Sequence, residues 1–86
     1  MKQTITLQST KGLHASLASK IVSLAGKYDA HVEIQYEDKV IDAKSILGLI
    51  SLAIPFGENL TVISRGNQAE EAINDLQKLL SKEEQK

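Results

Sequence analysis

The segment TKGLHASLASK, Thr10 to Lys20, sets one imidazole, His14, between a glycine-containing loop and the residues that begin an amphipathic helix. A helix start presents backbone N–H groups that have no intrahelical acceptor, and it carries the positive end of the macrodipole, so it attracts anions. A nucleophilic ring nitrogen placed there can accept a phosphoryl group. The amides near Ser16 and Leu17 would hold the phosphate oxygens, and Gly12 would let the loop approach without a Cβ in the way. A phosphoramidate keeps a high transfer potential, which suits a carrier better than a hydrolase. The plain alternative is a surface histidine or a helix cap, and spacing alone does not decide between the two. Metal binding is discounted: His31 lies on the polar alternation of a strand, and no Cys or paired carboxylate stands at ligand spacing. Serine-type catalysis is discounted as well, because there is no G-x-S-x-G elbow and no evident carboxylate to orient His14 toward Ser16 or Ser19.

A second segment, DAKSILGLISLA, places Ser45 ahead of an apolar helix as its expected N-cap. A serine there is commonly only a cap. Phosphorylated, it would set a charge of roughly −1.5 to −2 on the favourable end of the dipole. In the residues that follow, from Ile46 to Ile54, only Gly48 and Ser51 are not apolar. A helix apolar on every side is either fully buried or shows part of itself to a partner, and full burial is hard in a small two-layer domain. Leu49 and Leu52 are therefore expected in the core, and Leu47 and Ile50 in an exposed docking patch.

The elements that must position these residues follow from period. Ile5 and Leu7 alternate with threonines, which predicts a strand over Gln3 to Gln8 closed by STKG. Leu17, Ala18, Ile21, Val22, Leu24 and Ala25 recur at helical spacing, and that helix ends near Gly26–Tyr28. Val32, Ile34 and Tyr36 alternate, and after a tight EDK turn Val40 to Ala43 completes a hairpin. A short helix from Ser45, the loop PFGEN and a strand from Leu60 to about Ser64 come next. The last helix is announced by Asn67 with Glu70 three residues on, and its face is Ala69, Ala72, Ile73, Leu76, Leu79 and Leu80, with SKEEQK fraying into solvent. The expected fold is α+β, β-α-β-β-α-β-α, with one face of a four-stranded antiparallel sheet under three helices.

The 86 residues, 42% apolar, are enough for a single domain over residues 1–86 with one modest core. Ten Lys and Arg against eleven Asp and Glu offer no footprint for nucleic acid. The absence of cysteine excludes disulfides and thiolate metal sites and suits a reducing cytoplasm. The longest apolar run, Ile46 to Ile54, is too short to span a bilayer, and the N-terminus MKQTITLQST alternates where a signal peptide carries an apolar block. A cytoplasmic location is expected, with no membrane insertion.

GLHA at 12–15, KYDA at 27–30 and AKSILGLISLAI at 43–54 stand in register over essentially the whole chain. With them the chain resembles the HPr family, the histidine-containing phosphocarriers of the bacterial sugar phosphotransferase system. The resemblance implies an HPr-like open-faced sandwich, and a monomer that needs no cofactor or metal. It implies that His14 receives phosphate from enzyme I and passes it to enzyme IIA proteins, with catalysis residing in those partners. It aligns Ser45 with the regulatory site of an HPr kinase/phosphorylase, whose product is a corepressor for catabolite control protein A. Leu47 and Ile50 align with the shared docking surface. The alternative is a regulatory paralogue that acts through Ser45 phosphorylation and protein binding. The family usually has arginine and proline after its G-L-H-A, where this chain has Ser16 and Leu17. Serine lacks the guanidinium's charge and fork, and leucine at 17 is expected to loosen the helix entry and add apolar surface.

Overall fold

The computed structural model describes residues 1–82, so the expected fraying of SKEEQK falls outside the described residues beyond Lys82. The elements are β1 (Lys2–Thr6), α1 (Ala15–Ala25), β2 (His31–Tyr36), β3 (Lys39–Asp42), α2 (Ile46–Ser51), β4 (Asn59–Arg65) and α3 (Ala69–Leu80). The order β-α-β-β-α-β-α is the expected one. The strands form one antiparallel sheet in the order β1-β4-β2-β3, with Ile5 opposite Leu60, Ile34 opposite Val62 and Ile34 opposite Ile41.

That register puts the apolar members of each alternation on one face. Ile5, Val32, Ile34, Leu60 and Val62 are buried there with Leu17, Ile21, Leu49, Ile73, Leu76 and Leu80 from the helices. Each such side chain contributes roughly 1.5–3 kcal/mol by leaving water. The opposite face keeps its hydroxyls, and Thr4 and Thr61 pair across β1 and β4 at 3.2 Å. α3 lies across β4, β1 and β2, while α1 packs against α2 and α3 and α2 against β3. The α2 contact depends on Gly48, where a Cβ would come within 2.6 Å of the Ile41 Cγ2.

Several boundaries differ from the sequence reading. β1 stops at Thr6 rather than Gln8, although the Leu7 amide still donates to the Glu58 carbonyl at 2.9 Å. β3 covers Lys39–Asp42, and Ala43, fully buried, turns inward as its amide meets the Val32 carbonyl at 2.9 Å. The start of α3 is a correction. Its N-cap is Gln68 with no side-chain capping bond, and Asn67 instead donates from Nδ2 to the Asp29 carboxylate at 2.9 Å. The Gln68 Oε1 accepts from the Asp29 amide at 2.8 Å. These two residues are spent on tying α3 to the turn before β2, so the local capping box does not form.

Candidate phosphoryl site

His14 is the N-cap of α1, with extended backbone (φ −109°, ψ 178°), and its carbonyl accepts from the Ala18 amide at 2.9 Å. The imidazole makes no capping bond to its own helix and is half-exposed. Its role as a side-chain cap is thereby excluded. Helix geometry leaves the amides of Ala15, Ser16 and Leu17 without intrahelical acceptors beside it. No acidic residue occupies the first turn of α1, so nothing there offsets the positive end of the dipole.

The three residues expected to cradle a phosphate are placed differently from one another. Ser16 is exposed in the first turn. Leu17 is only 2% exposed and belongs to the core. Its side chain adds no apolar surface, contrary to the expectation, because position 17 starts the buried stripe that continues through Ala18 and Ile21; only its amide can serve an anion. Gly12 has φ +72°, and a Cβ on it would lie 2.6 Å from the Ile54 carbonyl oxygen and 3.2 Å from the Pro55 Cα. The space it leaves is filled by the chain leaving α2 and is not held open for a ligand. Glycine is needed for that close approach and for its left-handed backbone.

The loop carrying His14 is thus bound to the exit of α2. The Leu13 amide donates to the Ile54 carbonyl at 2.8 Å, just after Ala53, which takes the uncommon φ of +50° to turn the chain out of α2. At the other end of α2, Ser45 caps the helix as expected. Its Oγ accepts from the Gly48 amide at 3.1 Å, and the residue is exposed.

Burial sorts the apolar side chains of this region. Leu49 is fully buried and Leu52 is 4% exposed, whereas Leu47 is 82% exposed. Ile50 is corrected: it is half-buried and packed against the core, so it is not an anchor equivalent to Leu47. Two residues the sequence reading did not single out take its place, Ile46 at 40% and Phe56 at 55% exposure. Phe56 stands between Pro55 and Gly57 outside any periodic segment, so no hydrophobic pattern pointed to it. A lone aromatic in a turn was the available signal.

His31 lies on β2, with its Nε2 3.2 Å from the Glu33 carboxylate. Among the described residues no group of three or more His, Cys, Asp or Glu is placed to hold a metal ion, and no helix is long and apolar enough to cross a membrane.

The family described as the PTS HPr component phosphorylation site matches residues 1–82. The phosphocarrier protein HPr of Haloferax volcanii is 36% identical over 88 aligned positions, covering 100% of this chain and 99% of its own. The crystal structure of phosphocarrier protein HPr from Bacillus anthracis superposes with a TM-score of 0.89 at 32% identity, over 93% of this chain and 95% of that one. Crh, a catabolite repression protein of Bacillus subtilis crystallised as a domain-swapped dimer, gives 0.78 at 31% identity over 98% and 97% of the two chains.

Proposed function

The chain belongs to the HPr family of phosphotransferase-system proteins, and we propose that within it His14 carries a phosphoryl group from enzyme I to enzyme IIA proteins in the cytoplasm. The observation that carries this reading is the placement of a half-exposed imidazole that does not cap its helix, beside the amides of Ala15, Ser16 and Leu17, which helix geometry leaves without intrahelical acceptors.

The step is a displacement at phosphorus. The lone pair of one His14 ring nitrogen forms the new N–P bond while the bond from phosphorus to the donor breaks, its electron pair leaving with the donor. The three phosphoryl oxygens keep their negative charge throughout. The amides and the helix dipole stabilise that charge without having to move, which is where preorganised donors act most strongly. Ser16 adds one hydroxyl where the family places a guanidinium, so transfer is supported by backbone more than by side chain. Leu47, Ile46 and Phe56 give partners an apolar seat, and the Gly12–Ile54 contact fixes that seat relative to His14.

A second reading is favoured by one feature, the exposed Ser45 at the N-cap of α2. In it, HPr kinase/phosphorylase modifies Ser45, and the phosphorylated chain binds catabolite control protein A. Label transfer from phosphoenolpyruvate through enzyme I tests the first reading; label transfer from ATP through the kinase, lost in Ser45→Ala, tests the second.

A further inference from the structure

A phosphoryl group carries a charge of roughly −1.5 to −2 at neutral pH, whereas a helix start offers about half a positive charge. The first turns of α1 add no cation, because Ala15 to Ser19 are all neutral. The exit of α2 that abuts the His14 loop, Ile54 to Gly57, is neutral as well. The chain's one arginine, Arg65, stands across from His31 on β2, and the adjoining Gly66 packs on Ala30 beyond the far end of α1, about 16 Å from its start. Lys20, Lys27, Lys78 and Lys82 line a groove along the later turns of that helix. One cation, Lys11, is placed on the His14 loop itself. The Ser9 carbonyl accepts from the Gly12 amide at 2.9 Å, closing a four-residue turn with Thr10 and Lys11 at its corner, both exposed.

We infer that Lys11 supplies the full positive charge for a phosphoryl group on His14, its ammonium meeting the outer phosphoryl oxygens while the amides of α1 meet the inner ones. The two residues between them, Gly12 and Leu13, are buried, and the Leu13 amide is held by the Ile54 carbonyl. Lys11 and His14 are therefore the outward ends of a buried, anchored dipeptide. Three Cα steps separate them by at most about 11 Å, and by less here because Gly12 turns the chain with φ +72°. A flexible four-carbon stem from one side and a phosphorylated imidazole from the other close that gap. A compact ammonium on such a stem can follow a group that arrives and leaves. No aspartate or glutamate occurs from Gln8 to Tyr28, so no carboxylate on the loop or on α1 competes for Lys11. Glu58, on the turn after α2, keeps its charge but lies 3.3 Å from the Tyr36 hydroxyl of β2, from which it accepts. Lys11 has this role only if His14 carries phosphate, so the test loads His14 without enzyme I.

Potassium phosphoramidate phosphorylates imidazoles directly: the His14 ring nitrogen forms the new N–P bond, the reagent's N–P bond breaks, and ammonia leaves with the electron pair and a proton. In a His31→Gln background His14 is the one imidazole left to label, and the second ionisation of its phosphoryl group is followed in the full chain by phosphorus NMR. A neighbouring ammonium favours the doubly ionised form. Lys11→Gln should therefore raise that pKa by about 0.2–0.7, the size of an exposed ion pair. Lys11→Arg should keep the parent value, and salt at about 1 M should remove the difference. With enzyme I and phosphoenolpyruvate, Lys11→Gln should be labelled about two- to fivefold more slowly, and Lys11→Arg at the parent rate. The role of Lys11 is overturned if parent and Lys11→Gln titrate alike, if Lys11→Arg behaves as Lys11→Gln does, or if the difference persists in high salt, as a change in loop structure would. A titration difference with no labelling of His14 by enzyme I would overturn the carrier reading and leave the Lys11 contact standing; labelling by enzyme I with identical titrations would do the reverse.

Discussion

The Leu13 amide donates to the Ile54 carbonyl at 2.8 Å, and so the loop bearing His14 and the exit of the apolar helix α2 form one piece. Gly12 makes this possible, since a Cβ there would stand 2.6 Å from that same carbonyl. Gly12→Ala should separate the two segments. The backbone strain alone costs about 1–2 kcal/mol, before the clash, and for a domain of this size each kcal/mol lowers the melting temperature by about 4–8 °C. Thermal unfolding by circular dichroism should show a fall of at least that size, and an unchanged melting temperature would mean that the loop accommodates a side chain freely.

Leu47 and Leu49, two residues apart on α2, differ as far as two leucines can, at 82% and 0% exposure. Leu49→Ala should lose about 2–5 kcal/mol of stability by opening a cavity. Leu47→Ala should stay within about 0.5 kcal/mol while weakening partner binding. The half-buried Ile50 should fall between them. Denaturant unfolding with a binding assay on each variant separates the roles, and equal destabilisation by Leu47→Ala and Leu49→Ala would remove the docking patch.

Ser45 combines a structural and a regulatory position, and the two can be split. Ser45→Ala removes the acceptor for the Gly48 amide and should cost roughly 1 kcal/mol. Ser45→Asp keeps an N-cap acceptor and should leave stability nearly unchanged, but its charge beside Ile46 and Leu47 should weaken enzyme I docking. If Ser45→Asp binds enzyme I as tightly as the parent, charge at position 45 does not control that surface.

The periodicities of Leu17 to Ala25 and Ala69 to Leu80, and the alternation through Val32 and Ile34, carried the element order and the sheet, because burial on one face imposes those spacings directly. What the sequence did not display depends on partners far along the chain. Asn67 and Gln68 read locally as a helix start, yet they are bonded to Asp29, 38 and 39 residues away. Gly12 read as an opening for phosphate because its neighbour Ile54 is brought there only by the fold. Ile50 and Leu47 are alike in an all-apolar run, and only the packing of α2 on β3 and α1 decides that Ile50 is half-covered and Leu47 is not.

Ser16 stands exposed in the first turn of α1, where a longer cationic side chain would have room to reach the phosphoryl oxygens. A well-formed charge-assisted hydrogen bond contributes roughly 1.5–3 kcal/mol. Ser16→Arg, alone or with Leu17→Pro, should therefore speed phosphorylation of His14 by about tenfold or more. Leu17→Pro is expected to carry a stability cost, since it removes a buried side chain, so folding is monitored alongside the rate. Unchanged rates in folded Ser16→Arg would show that the guanidinium is not what limits transfer.

The most direct test is incorporation of phosphate from radiolabelled phosphoenolpyruvate in the presence of enzyme I, comparing the parent chain with His14→Ala. The predicted result is a label on the parent that is lost in mild acid, as a phosphoramidate is, and passed on when an enzyme IIA protein is added, with no label on His14→Ala. Equal labelling of His14→Ala, or a label that survives acid as a serine phosphate does, would contradict a phosphoryl carrier acting through His14.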